Sequence, residues 1–192
     1  MSLLQISDQI FSIAETSFMA YVGLGQNGWR VGWNLEIIAA PKEVEGEEWE
    51  PKLYSHEFDL DLTPAFVAQI EADLPLGKEN GETAFMLYVF EHEPIEQARL
   101  KIFRLQDGKF NFQLAGISAV FFNEQYADKL PIRVECNLSL AGVVVDEPNF
   151  TKAEERFSQF FDRSLFGQAK RHTNGGVIFN LNCGSASQET RT

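Results

Sequence analysis

Residues 21–33 read YVGLGQNGWRVGW, and the glycines at 23, 25 and 28 have the G-x-G-x-x-G spacing of phosphate-cradling loops. Such a loop needs a strand before it and a helix after it, with the helix N-terminus facing the phosphates. Here the following apolar residues are Trp29, Val31, Trp33, Leu35 and Ile37, the period of a strand with one buried face. Asn27-Gly28 is then the preferred pair for a two-residue hairpin turn. Folding the chain at that point pairs Leu24 with Val31, Val22 with Trp33, Ala20 with Leu35 and Phe18 with Ile37. All these pairs are apolar and share one face. The glycines therefore predict a hairpin rather than a nucleotide site. Kinases, which do lay such glycines over ATP, also carry H-R-D and D-F-G, and neither occurs here.

Alternation continues on both sides of this hairpin. Tyr54, His56, Phe58, Leu60 and Leu62 predict a strand, as do Ile132, Val134, Cys136, Leu138 and Leu140. Ala84–Phe90 is apolar throughout, which predicts a central strand covered on both faces. Asp107-Gly108 predicts a second hairpin, pairing Leu105 with Phe110 and Phe103 with Phe112. Phase breaks near Ile102-Phe103 and Ala115-Gly116 predict a bulge or bend there. Asn174-Gly175-Gly176 precedes a last strand with Val177, Phe179, Leu181 and Cys183.

Three segments read as helices. Leu3, Ile6, Ile10 and Ile13 form a helical stripe over residues 3–13. Thr63-Pro64 opens a short helix over 63–73, with Phe66, Val67, Ile70 and Leu74 on its apolar side. From residue 150, Thr151 and Glu154 have capping-box spacing, Ala153, Phe157, Phe160, Phe161 and Leu165 form the buried stripe, and Gly167 ends it. The expected class is α+β: a curved, mainly antiparallel sheet of about eight strands, at most a partly closed barrel, with two or three packing helices. One domain is expected over residues 1–184, with 185–192 a disordered tail. Seven strands, a helix and a last strand resemble a lipocalin's layout. The helix at 63–73 departs from it and no lipocalin motif lines up.

Composition narrows the classes of function. The net charge is −12. Residues 1–100 hold 18 acidic and 5 basic side chains and residues 101–192 hold 10 and 11, so the halves carry −13 and +1. That balance disfavours nucleic acid, whose binding rests on neutralising phosphates, and anionic membrane surfaces. It suits a basic protein partner. The two cysteines, Cys136 and Cys183, stand far apart on apolar strand faces, where buried free thiols are expected. With no basic-then-apolar leader, a cytoplasmic location is expected. No cofactor motif and no metal-ligand set is present.

The residues that could carry chemistry are few. Glu91-His92-Glu93 sets carboxylates beside a histidine, a pattern for acid–base work. If the strand runs through residue 93, both glutamates face one side and His92 the other. His56 falls on the apolar side of its strand and points inward if the sheet is a barrel. Residues 43–50, EVEGEEWE, put five glutamates around one tryptophan. Tryptophan is enriched at binding hot spots, and an acidic rim suits a basic partner. Glu45, Glu47, Glu48, Trp49 and Glu50 are therefore the expected partner-binding residues. The leading expectation is a non-catalytic interaction module, an acidic escort or immunity-like partner of a basic protein. A carrier of a small apolar ligand inside the curved sheet is the second reading. An enzyme using His56 or His92 with nearby carboxylates is the third.

Overall fold

The computed structural model describes residues 2–59, 71–76, 84–105, 109–120, 124–127 and 129–182, with backbone alone for 56–59, 71–76, Arg104 and Gln125. The expected tail at 185–192 and Cys183 lie outside the described residues. The first strands are β1 (Leu3–Ile6), β2 (Gln9–Gly25), β3 (Gly28–Ala39), β4 (Lys42–Val44) and β5 (Glu47–Trp49). They are followed by β6 (Lys52–Asp59), β7 (Glu71–Leu76), β8 (Phe85–Tyr88), β9 (His92–Pro94) and β10 (Glu96–Arg104). The last are β11 (Phe110–Ser118), β12 (Leu130–Leu138), β13 (Leu140–Val145), β14 (Lys170–Arg171) and β15 (Val177–Phe179), with helix α1 (Phe150–Phe157) between β13 and β14.

Among the described residues, strand accounts for 62% and helix for 9%, with one α-helix, which overturns the expected α+β class. Thirteen strands join one sheet, in the order β7-β10-β11-β12-β1-β2-β3-β6-β8-β9, with β13, β14 and β15 branching from it. The sheet curls into a nearly closed, barrel-like wall. Its pairings are antiparallel except that β13 runs parallel to β2. Two corners bend it. β2 shifts register against β3 between Ile13 and Glu15, and β10 shifts against β11 between Glu96 and Arg99. Bulges of this kind raise local twist and let one strand serve two walls. At the second corner β9 pairs with β8 while β10, one residue on, pairs with β11. A single stretch of chain thus joins the two ends of the wall.

The expected helix at 3–13 is a hairpin. Leu4, Ile6 and Phe11 are buried, Ser7 takes a positive φ of 55° and Ile6 pairs with Gln9. Two short alternating segments around a turn happen to repeat at helical spacing, and pairing with β12 decides between them. The helix expected over 63–73 lies largely outside the described residues, and its end is strand β7. α1 forms where expected but is capped by Asn149, whose side-chain oxygen accepts from the Lys152 N–H, and not by Thr151. It stops at Phe157, well short of Gly167, and a 3-10 turn follows at Arg163–Leu165.

The β2–β3 hairpin is present and no helix follows Gly28, so the glycine motif serves shape. Its turn, however, is Gln26-Asn27, Gly25 pairs with Gly28, and Val22 pairs with Val31. The positive φ falls on Gly28, at 115°, because glycine adopts it without steric cost. This moves every expected partner by two residues, and two is the side-chain period, so the buried face is unchanged. At the second hairpin the slip is by one. Arg104 pairs with Phe110 and Ile102 with Phe112, which buries Ile102 and leaves Phe103 half-exposed. The break near Ala115-Gly116 faces the observed bulge, whereas Ile102-Phe103 is regular. β8 alternates, with Phe85 and Leu87 buried and Met86 and Tyr88 half-buried, so only one face is fully covered.

Alternating inward residues fill the interior with one apolar cluster. Rings from facing walls touch there: Phe18 of β2 lies 5.6 Å from Phe110 of β11, and Phe85 of β8 lies 6.1 Å from Phe112. Toward the β2–β3 tip, α1 seals the wall through Phe157, 4.2 Å from Phe179, and the turn after it through Phe161, 6.3 Å from Trp33. Closure leaves no room for a side chain at the second corner. A Cβ on Gly116 would lie 2.5 Å from Ile95 Cγ2 and 3.0 Å from the Glu96 carbonyl oxygen. Gly116→Ala should therefore cost about 1–3 kcal/mol in urea unfolding. Gly23→Ala, where a Cβ meets nothing within 4 Å, should stay within about 0.5 kcal/mol of wild type.

Candidate functional site: an acidic hairpin over the barrel mouth

The connection from β3 to β6 folds into its own hairpin. Val44 pairs with Glu47 across Glu45-Gly46, whose φ values of 53° and 86° are both positive. That is the conformation of a tight primed turn, which matches strand twist. Glycine accepts it readily, while glutamate there costs about 1–2 kcal/mol. Nothing about a glutamate in the sequence announces a left-handed backbone, so this hairpin carries no local signal.

Pairing sorts the side chains. Val44 and Trp49 turn inward and are 3% and 0% exposed. Glu43, Glu45, Glu47, Glu48 and Glu50 are all exposed. Glu43 stands directly opposite Glu48, and like charges so placed repel. Glu50 lies 3.8 Å from Lys52 Nζ; the other four have no ion-pair partner among the described residues. Trp49, grouped with these glutamates as partner-binding, folds back onto the body and anchors the hairpin from beneath. Its ring stacks on Phe11 at 6.2 Å and meets Phe90 and Tyr126 edge-on at 6.0 and 5.1 Å. Lys42 adds a second tie, donating to Gln9 Oε1 at 2.9 Å with its ammonium 5.4 Å from the Phe11 ring centre.

Beside this anchor, the Tyr126 hydroxyl accepts from Gln9 Nε2 and donates to Asp8 Oδ1, both at 3.3 Å. Burial pushes the phenol above its usual 10.0, the charges of Asp8 and Glu45 add to the rise, and the Gln9 donor opposes it.

The histidine candidates do not assemble with their expected carboxylates. β9 begins at His92, on the outer face of the row Lys52–Tyr88–His92. Its Nδ1 is 2.5 Å from the Tyr54 hydroxyl, and its ring lies 4.9 Å from Tyr88. Glu93 pairs opposite buried Leu87, on the other face. Glu91 is exposed, and among the described residues neither glutamate bonds to His92. His56 falls in a register shift: Ser55 pairs with Leu35 and Phe58 with Trp33, so residues 56 and 57 stand against Asn34 alone. Ser55 is buried, its hydroxyl oxygen accepting from the Leu35 N–H at 2.9 Å, while Tyr54 is only half-buried. The alternation that placed His56 inward is therefore broken, and its side chain lies outside the described residues.

Among the described residues, no group of three or more histidine, cysteine or carboxylate side chains could hold a metal ion, and no helix is long and apolar enough to cross a membrane. Cys136 is a free, buried thiol.

Two outcomes follow. Trp49→Ala should destabilise the protein by about 3–5 kcal/mol, the usual cost of removing a buried tryptophan, whereas Glu48→Lys, which puts a cation opposite Glu43, should raise stability by about 0.2–1 kcal/mol; denaturant melts check both. Burial also pushes the Cys136 thiol from 9.0 up to about 12. The unfolded chain then releases this proton first as pH rises, so the contribution is intact below pH 9.0 and is lost as pH climbs toward about 12. Denaturant titrations across that range should show stability falling, and Cys136→Ser should fall less.

Comparison of the chain with known protein families, with curated proteins and with solved structures finds no match.

Proposed function

We propose that this protein is a non-catalytic interaction module that binds a basic protein through the β4–β5 hairpin. One observation carries the reading: five exposed glutamates sit on a short hairpin whose underside is held to the barrel by Trp49 and Lys42. Anchoring from below fixes the carboxylates without neutralising them, so little ordering is needed when a cationic surface arrives. The charge of −12 adds long-range attraction that speeds encounter. The contact surface in this reading is Glu43, Glu45, Glu47, Glu48 and Glu50, with Trp49 as the support behind it. A cytoplasmic setting accords with the unpaired Cys136.

The nearly closed barrel favours a second reading, a carrier of a small apolar ligand. The ring contacts between Phe18 and Phe110 and between Phe85 and Phe112 weigh against it, because those side chains already occupy the space between the walls. Native mass spectrometry of freshly isolated protein separates the two: a carrier retains a bound small molecule, and the interaction module has the mass of the bare chain.

The interaction reading is tested by affinity capture from the source cells at low and high salt. A basic protein should be held at low salt and released at high salt. Changing all five glutamates to glutamine should weaken its binding about ten-fold or more while the circular dichroism spectrum is unchanged. Capture that ignores both salt and these substitutions, or no basic protein at all, contradicts the proposal.

A further inference from the structure

The hairpin that presents the glutamates is fastened to the barrel differently from every strand around it. β4 and β5 pair only with each other and form a sheet of their own. At the neck, Ala39 N–H donates to the Pro51 carbonyl at 2.9 Å and Ala40 N–H to the Ser12 carbonyl at 2.8 Å. Pro41 follows those bonds and Pro51 accepts one of them, and neither has an N–H with which to extend a ladder. What holds the hairpin down is side-chain contact: the Trp49 ring in a seat of Phe11, Phe90 and Tyr126, and Lys42 on Gln9, the Ile10 carbonyl and the Phe11 ring.

One group in that seat works against closure: among the described residues the Trp49 indole N–H has no hydrogen-bond acceptor, and such a donor regains its bond when it returns to water. We propose that the β4–β5 hairpin is a lid hinged at Pro41 and Pro51, which swings away as a unit and uncovers the aromatic seat of Phe11, Phe90 and Tyr126. Segments that rest on few contacts open below the threshold of global unfolding. The lid does not depend on the identity of any partner. It means that the acidic surface and the apolar seat are presented together only when the hairpin is raised.

The test is 19F NMR on the full chain labelled with 5-fluorotryptophan, which carries three tryptophans. The Trp49 resonance is assigned by its loss in Trp49→Phe. It should exchange with a minor signal at the shift of a water-exposed indole while the Trp33 resonance does not. Lys42→Ala should raise the minor population several-fold. Should Lys42→Ala fail to fold, native-state hydrogen exchange on the wild-type protein decides: amides of residues 42–49 should open at low denaturant by a route that those of β2 and β3 do not share. Trp49 and Trp33 exchanging in step, or hairpin amides opening only together with the barrel, would overturn the lid.

Discussion

The barrel depends on one strand being able to bend. β2 pairs with β1 near its start, with β3 along most of its length and with β13 toward its end. Its register shift between Ile13 and Glu15 lets it pass from one wall to the next. Without that corner the two walls would lie as one open, twisted sheet. Because it bends, Phe11 reaches one mouth and Phe18 the interior, both fully buried. The second corner, at Ile95 and Gly116, brings the far edges together, and the absence of a side chain at Gly116 makes the approach possible.

Closing the barrel sets what the mouth can carry. The connection between β3 and β6 spans the opening, and its apolar residues, Val44 and Trp49, have a buried surface to rest on. Its glutamates are left outside. The acidity of the first half of the chain is in this way partly gathered onto one anchored hairpin. A repulsive pair such as Glu43 and Glu48 works against the hairpin's own stability. Buried apolar contact from Trp49 and the grip of Lys42 offset it. The inner face, with Val44 and Trp49, holds the hairpin down, while Glu43 and Glu48 occupy the outer one.

Much of this was legible in the residues, and the rest was hidden for identifiable reasons. Strict alternation over Trp29–Ile37 revealed both the strand and its buried face, and that face survived a turn displaced by one residue because partner shifts of two preserve it. The segment 3–13 misled because Leu3, Ile6, Ile10 and Ile13 fit a helical stripe equally well; pairing with β12 is a tertiary effect with no local signature. The register shift at residues 56–57 cannot be seen in a pattern that looks regular from Tyr54 to Leu62. At the candidate site, the five glutamates were plain from composition. An aromatic ring in an acidic stretch fits a contact surface and a fold back onto the body alike, and the burial of Trp49 depends on Phe11, Phe90 and Tyr126 meeting from three distant parts of the chain.

The claim beneath all of these is that two walls of alternating strands face each other across a filled interior. Proton NOEs among selectively labelled phenylalanine rings test it most directly. The structure predicts cross-peaks between Phe18 and Phe110, whose ring centres are 5.6 Å apart, and between Phe85 and Phe112, at 6.1 Å. Cross-peaks confined to rings within a single wall, with none joining these two pairs, would contradict it.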